Sequence, residues 1–466
     1  MTISRRQFLA TGAIAPVAFF SAINRDLPAD PPPNIVFILA DDLGYADLSC
    51  YGRRDFETPN IDRLAREGMK FLQAYANSAV CTATRVALIT GRYQYRLPVG
   101  LEEPLAGPRR NIGLPPQHPT LPSLLKKGGY STALVGKWHM GWLPDYGPLK
   151  SGYDHFWGFR GGALDYFTHK AGLPNTDTDD LWDDDAKVHQ VGYLTDLLGS
   201  KAVSVIGDFA KARRPFLLSL HFNAPHWPWE GPGDEAESQR MQALFHYDGG
   251  SQKIYANMVR AMDQQVGRVL QALTDAHIAD NTIVIFTSDN GGERFSDTWP
   301  FTGKKTELLE GGLRIPAIVR WPGHVRAGST SDQAAISMDW LPTLLAAAGL
   351  QPDPAYPSDG MNLLPPLTNA ALVPRKLFWR FRSNAQRAVR DGDMKWLKIA
   401  GNTFLFNVVD DPLERANLKA RQPDVYQRLI AEYETWNATM LPEDPQATSA
   451  TFTADQLADH YGNIRK

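Results

Sequence analysis

Cysteine is scarce in this chain: Cys50 and Cys81 are the two among 466 residues. A disulfide framework of the kind that staples small secreted domains is therefore excluded. Excess charge is missing as well. The 48 lysines and arginines nearly cancel 51 aspartates and glutamates, leaving −3, so no global basic field exists to attract nucleic acid. Long apolar runs are absent. The run from Phe8 to Ala22 is shorter than the ~20 residues of a membrane-spanning helix, and no later segment reaches that length. There is no internal repeat and no long low-complexity tract. What is left is ordinary sequence, enough for a large core and, by length, for two or three domains.

The N-terminus has its own character. Ser4-Arg5-Arg6-Gln7-Phe8-Leu9 precedes the short apolar run, and a charged start before a modest apolar region predicts an export signal. Paired arginines followed by x-Phe-Leu mark the twin-arginine type, although no strong A-x-A cleavage site follows. Residues 25–33 read as a linker ending in Asp30-Pro31-Pro32-Pro33. The expected destination is the periplasm or the outside of the cell, reached through the twin-arginine export machinery.

Two later runs are continuously apolar. Asn34-Ile35-Val36-Phe37-Ile38-Leu39-Ala40 ends at Asp41-Asp42, and Thr282-Ile283-Val284-Ile285-Phe286-Thr287 leads to Asp289-Asn290. Both predict strands buried on two faces of a parallel sheet, with acidic or amide side chains at the edge where such sheets bind ligands. Four oxygen-bearing side chains suit a hard cation, Ca²⁺ in the first instance and Mg²⁺ as the alternative. For either pair alone, ordinary turn and capping chemistry is the stronger reading.

Ser78-Ala79-Val80-Cys81-Thr82-Ala83-Thr84-Arg85 continues through Val86-Ala87-Leu88-Ile89-Thr90 to Gly91. Small polar residues, an apolar stretch and a closing glycine predict a short helix with residue 81 near its N-terminus. Arg85 lies one turn on, on the same face. Free N–H groups, the positive dipole end and a guanidinium suit an oxyanion. By itself the pentapeptide reads as a buried Cys beside an unrelated Arg; the surrounding segments change that. Tyr130-Ser131-Thr132-Ala133-Leu134-Val135 predicts a strand entering a glycine turn, and extended backbone would aim Lys137 and His139 to one side. Pro215 to Leu220 predicts another buried strand, followed by Asn223-Ala224-Pro225-His226-Trp227. His221 inside that strand reads as packed. Further on stands Gly303-Lys304-Lys305-Thr306-Glu307-Leu308-Leu309-Glu310-Gly311-Gly312-Leu313-Arg314.

From Asn34 to about Pro316 these ordered segments resemble the type I sulfatase family of the alkaline phosphatase superfamily, arylsulfatase-like in pattern. The resemblance implies that Cys81 is oxidised to Cα-formylglycine by a maturation enzyme, and that its hydrate attacks the sulfur of a sulfate monoester. It implies a cation held by Asp41, Asp42, Asp289, Asn290 and residue 81. Arg85, Lys137 and Lys305 would neutralise the sulfuryl oxygens, with Lys304 the adjacent alternative to Lys305. His226 or Lys305 would assist the leaving oxygen, and His139 would deprotonate the second hydroxyl. Asp47, Asp62, Glu310 and Arg314 read as structural. One departure stands out: the family motif Cys-x-Pro-x-Arg has Ala83 in place of Pro, which bears on the identity of the maturation enzyme. With Cys81 modified, Cys50 has no disulfide partner.

Aryl sulfates and sulfated sugars both fit this reading, with Gly162 to His169 and Trp227 to Glu230 as pocket candidates. The acidic stretch from Asp177 to Asp185 reads as a solvated loop, a cation site being the lesser alternative. A phosphonate or phosphate monoester hydrolase is the second enzymatic reading. A non-catalytic sulfated-glycan-binding protein is the third, should Cys81 stay a thiol. The expected fold is α/β: a mixed, mostly parallel central sheet flanked by helices, with a smaller C-terminal α+β subdomain on a short antiparallel sheet. Helices are expected from Asn257 to Leu273, Met338 to Ala346 and Asp424 to Trp436, and strands at Lys395–Ile399 and Thr403–Asn407. The Pro-rich stretch near Pro352 to Pro366 marks a boundary, giving a signal and linker (1–33), a catalytic domain (34–365) and a C-terminal subdomain (366–466).

Overall fold

The computed structural model describes residues 31–109, 111–172, 176–245, 247–369 and 372–460. The twin-arginine run and its apolar stretch lie outside them. Among the described residues no helix is long and apolar enough to cross a membrane.

The strand Asn34–Ala40 sits at the middle of a ten-stranded sheet, between Phe216–His221 and Thr282–Ser288, and runs parallel to both. Ser131–Lys137 and then His155–Phe159 extend the parallel set beyond Phe216–His221. Beyond Thr282–Ser288 the strand Ala317–Arg320 reverses direction and pairs antiparallel with Met69–Phe71. The far edge carries the short antiparallel strands Trp182–Asp183 and Ala186–Lys187. The sheet is thus mixed and mostly parallel, as expected.

Alternation along the central strand explains the layers. Val36 and Ile38 join a core with Leu198, Ile206, Val259 and Val266 from the helices Leu194–Ala212 and Gln252–Asp275. Ile35, Phe37 and Leu39 face the other way, toward Val86, Leu121, Trp340 and Leu344. A strand covered by helices on both faces must be apolar at every position, which is the pattern read from its sequence. The register also fixes the functional edge. Ala40 pairs with Ser288, Leu39 with His221, and His221 with Gly136, so four strands end side by side.

A second sheet of Lys376–Phe381, Gln386–Asp391, Met394–Ile399 and Asn402–Asn407 is antiparallel throughout. Its Val389, Trp396 and Leu405 pack on Leu429 and Tyr433 of the helix Pro423–Asn437. Its other face gives Leu377, Trp379 and Phe381 to a core shared with Val80, Ala83 and Ala87. The expected helices all form. The one at 338–346 begins at Trp340, after a 3₁₀ turn over Ser337–Asp339.

Where the two sheets meet, charge is buried. Glu310 accepts from Tyr75 Oη at 2.6 Å, Arg314 Nε at 2.7 Å and Lys395 Nζ at 2.9 Å. Lys395 Nζ also stands 2.9 Å from Glu414, whose second oxygen accepts the backbone N–H of Glu310 at 2.6 Å. Burial alone would lift the Glu310 pKa; Lys395, Arg314 and Arg390 outweigh it and hold the carboxyl at about 2. Glu310 and Arg314 therefore stand in the structural role expected of them.

Candidate active site

Cys81 opens the helix Cys81–Thr90, which ends where Gly91 takes a left-handed conformation at φ 66°. Glycine adopts that conformation without the Cβ clash other residues suffer, so the stop is where the sequence put it. Every residue of this helix is buried. Burial raises the pKa of the Cys81 thiol, with Lys137 and Lys305 pulling the other way. Its Sγ lies 3.3 Å from Nδ1 of His139. The other ring nitrogen, Nε2, is 2.9 Å from the Leu105 carbonyl. A carbonyl can only accept, so Nε2 carries the proton and the neutral ring turns its lone pair toward residue 81. Burial, then Lys137, disfavours the charged imidazole.

His139 does not sit on extended backbone. Its φ is 60°, so it turns away from the direction of Lys137 instead of repeating it. The two side chains converge on the site from different angles: Lys137 Nζ reaches Asp41 at 2.6 Å. Gly162 lets the chain pass over the imidazole, since a Cβ there would come within 2.5 Å of His139 Cε1.

The two strand ends meet as a buried cluster. Asp289 Oδ2 accepts from Arg85 Nε at 3.0 Å and Nη2 at 2.8 Å. Asp42 accepts from Lys305 Nζ at 2.6 Å and from Asn290 Nδ2 at 2.7 Å. His226 Nε2 lies 3.6 Å from Asp42, while Nδ1 is 2.7 Å from the Trp227 carbonyl and so holds that ring's proton. Burial, followed by the Asp289 charge, pushes the Asp41 pKa well up. Burial would do the same to Asp289, but Arg85 and Lys137 overcome it and hold that carboxyl down. Burial also works against the Lys305 ammonium, and Asp42 outweighs it.

Two acceptors in this cluster, Asp41 Oδ1 and Asn290 Oδ1, are buried without a hydrogen-bond donor among the described residues. Asp41, Asp42 and His226 offer ligand atoms within 4.8 Å of one another. Anionic and amide oxygens short of donors are the chemistry a hard cation needs, so the residues present fit Ca²⁺ or Mg²⁺. The grouping brings in His226, which the sequence reading assigned to the leaving group.

The remaining nominations sort by geometry. Lys304 turns away to Asp459, leaving Lys305 at the cluster. His221 is packed, as expected, its pKa pressed to about 3 by burial and then Arg85. Asp47 holds Arg53, Tyr255 and Ser296, and Asp62 holds Ser49 and the Cys50 backbone. Glu293 was missed. It is buried, neither oxygen has a hydrogen-bond donor among the described residues, and burial lifts its pKa to about 7 against the pull of Lys305. Its position three residues after Asn290 was the available signal.

A cavity of about 750 Å³ opens over Cys81, His139, His226 and Lys305. Gly162, Ala163 and Trp227 line it; Tyr166 and Trp229, also nominated as walls, are buried. The acidic stretch departs from the solvated-loop reading. Asp180 is buried, accepting from Gly161 N at 2.7 Å and Trp182 Nε1 at 2.6 Å, and Asp177 and Asp179 stand on the cavity wall.

The sequence profile of the family described as Sulfatase matches residues 33–350. Human N-acetylgalactosamine-6-sulfatase is 36% identical over 390 residues, covering 79% of this chain and 72% of that protein. Human arylsulfatase A is 32% identical over 415 residues, covering 82% and 78%. The crystal structure of Ps i-CgsB in complex with k-i-k-neocarrahexaose superposes with a TM-score of 0.81 at 31% identity, over 90% of this chain and 95% of that one.

Proposed function

Because the chain belongs to the sulfatase family of sulfuric ester hydrolases, we propose that it hydrolyses sulfate monoesters of carbohydrates, with residue 81 as the origin of the nucleophile. The observation that carries this reading is the meeting of Cys81, His139 and the Asp41–Asp42–Asp289–Asn290 cluster beneath one cavity. The relative named N-acetylgalactosamine-6-sulfatase and the neighbour solved with a neocarrahexaose support a sugar ester, and the relative named arylsulfatase A keeps an aryl ester as the alternative.

Formylglycine at position 81 would supply a hydrated aldehyde, an oxygen nucleophile stronger than water and able to release its product. Asp41, Asp42, Asp289, Asn290 and residue 81 would hold Ca²⁺, or Mg²⁺, which supplies Lewis-acid charge for the sulfuryl oxygens. The chain's own residues do the rest. Arg85, Lys137 and Lys305 bring fixed positive charge to an anionic ester in a site shielded from water. To His139 we assign acceptance of a proton from an oxygen of residue 81, because its unprotonated Nδ1 faces that residue. Of His226 and Lys305 we assign donation to the departing sugar oxygen to Lys305, because the His226 ring keeps its one proton on Nδ1 against the Trp227 carbonyl and burial, then Lys305, disfavours its charged form. The sum is cleavage of the ester by one water, giving the alcohol and sulfate.

The reading extends to the whole chain: a signal and linker over 1–33, catalysis over 34–365, and a C-terminal subdomain over 366–466. It includes modification by a maturation enzyme that accepts Ala83 and delivery to the periplasm by the twin-arginine machinery. Arg5→Lys with Arg6→Lys is expected to leave active enzyme inside the cell, which fractionation would reveal.

Intact-mass analysis and a substrate panel test the core of the proposal. Purified protein is expected to show residue 81 with two hydrogens lost and sulfur exchanged for oxygen. It is expected to turn over sulfate esters far faster than matched phosphates or phosphonates. An unmodified thiol in active protein, or preference for phosphonate, would overturn it.

A further inference from the structure

A second cavity, of about 770 Å³, adjoins the first. The two share Pro104, Trp227, Phe245 and Lys305 in their walls. Aromatic rings run from one into the other. Trp227 leans against His226 at 4.3 Å with the rings tilted, Phe245 meets Trp227 edge-on at 4.7 Å, and Tyr247 follows Phe245 at 4.3 Å. The C-terminal segments supply the facing wall with hydroxyl and amide side chains, among them Ser383, Thr451 and Gln456.

The charge of this wall is decisive. Among the described residues Lys305 is its one ionisable cation, and that ammonium is engaged by Asp42 at 2.6 Å. A second sulfate bound here would therefore find no free cation among the described residues. At the opposite end of the first cavity, Asp177, Asp179 and Asp180 would repel one. Rings flanked by neutral donors and acceptors are the chemistry of a sugar, with apolar C–H faces and a rim of hydroxyls. A purely apolar aglycone would leave those polar groups without partners.

Resting on the function proposed above, we infer that the second cavity is a subsite for an uncharged sugar ring linked to the sulfated one. The enzyme then reads a sulfated oligosaccharide at two adjoining positions, and prefers a lone sulfate beside a neutral neighbour.

The test compares N-acetylgalactosamine 6-sulfate, free and linked to one galactose, with a small aryl sulfate as reference. Wild-type kcat/KM is expected to be about tenfold higher for the linked sugar. Ala450→Trp, at an exposed position on the second cavity's wall, should erase that advantage while aryl sulfate turnover persists. Tyr247→Ala should lower it several-fold, the scale of one lost ring contact. Equal kcat/KM for free and linked sugar, or an advantage that survives Ala450→Trp, would overturn the subsite with the sulfatase reading intact. Binding of the unsulfated disaccharide, followed by tryptophan fluorescence, separates the two ideas. If no sulfate ester were turned over, binding that Ala450→Trp abolishes would still support the subsite, and no binding would sink it.

Discussion

Two clusters of buried charge lie in this molecule, and they are built to different ends. Around Glu310, both carboxylate oxygens are answered by Tyr75, Arg314 and Lys395, and the group titrates low. Around Asp41, three carboxylates crowd together, one is driven up and another down, and two oxygens lack a donor among the described residues. Saturated charge specifies how the sheets meet. Unsaturated charge is a debt of solvation that a ligand can settle. The difference teaches that burial, ion pairing and split titration do not distinguish scaffold from site, since Glu310 and Glu414 part low and high as Asp289 and Asp41 do; what marks the site is that its donor-free oxygens gather beneath a cavity.

The comparison is sharpest if one cluster can be broken without the other. The largest effect belongs to Cys81→Ala, which is expected to cut sulfate release by at least about a thousandfold. Calorimetry should find its thermal midpoint unmoved, because a small side chain replaces a small one beside an intact cluster. Next comes Lys395→Met, which strands Glu310 and Glu414 and is expected to cost about 3–5 kcal/mol in urea unfolding. Metal affinity of the folded fraction should stay as in wild type. A Lys395→Met protein of undiminished stability would erase the contrast.

Calcium gives the third test. At a hundredfold excess over Kd it should stabilise the wild type by about 2.7 kcal/mol, an effect that chelation removes. Asp42→Ala should lose this response and Lys395→Met should keep it, as thermal shifts would report.

The smallest effect comes from a carboxyl outside both clusters. Glu103 is buried, accepting from Arg382 N at 2.8 Å and Ser449 Oγ at 2.9 Å, and burial lifts its pKa to about 7. Below its unfolded pKa of 4.5 the group is protonated in both states. As pH rises from there to about 7, the unfolded chain releases the proton while the fold retains it, so stability falls across that window. Glu103→Gln should remove this slope and gain on the order of 2 kcal/mol over wild type between pH 4.5 and 7.5. Urea unfolding at the two pH values decides it.

Much of this was legible in the sequence because the relevant groups sit at the ends of buried strands. A parallel strand covered on both faces must be apolar throughout, so the first polar residues after it, Asp41-Asp42 and Asp289-Asn290, stand out. Cys81 and Arg85 were readable together because helical spacing is local. What was not legible depended on backbone reversals and distant partners. The left-handed turn at His139 broke the simple alternation argument, and the Leu105 carbonyl that fixes its tautomer comes from an unrelated loop. Asp180 looked like solvated charge until the Gly161 and Trp182 N–H groups folded over it. The Lys395–Glu414 pair joins segments whose sequence carries no mark of the other.

The covering of the Cys81–Thr90 helix sets an order of events. Leu377, Trp379 and Phe381 close over Val80, Ala83 and Ala87, and Cys81 itself is 2% exposed. The cavity leaves one side of residue 81 open, while the C-terminal sheet packs on the other side of its helix and seats it. Cys81 leaves the ribosome long before Trp379. The helix that carries residue 81 is therefore made well before the strand that covers its apolar back, and takes its final seat only once the C-terminal sheet arrives.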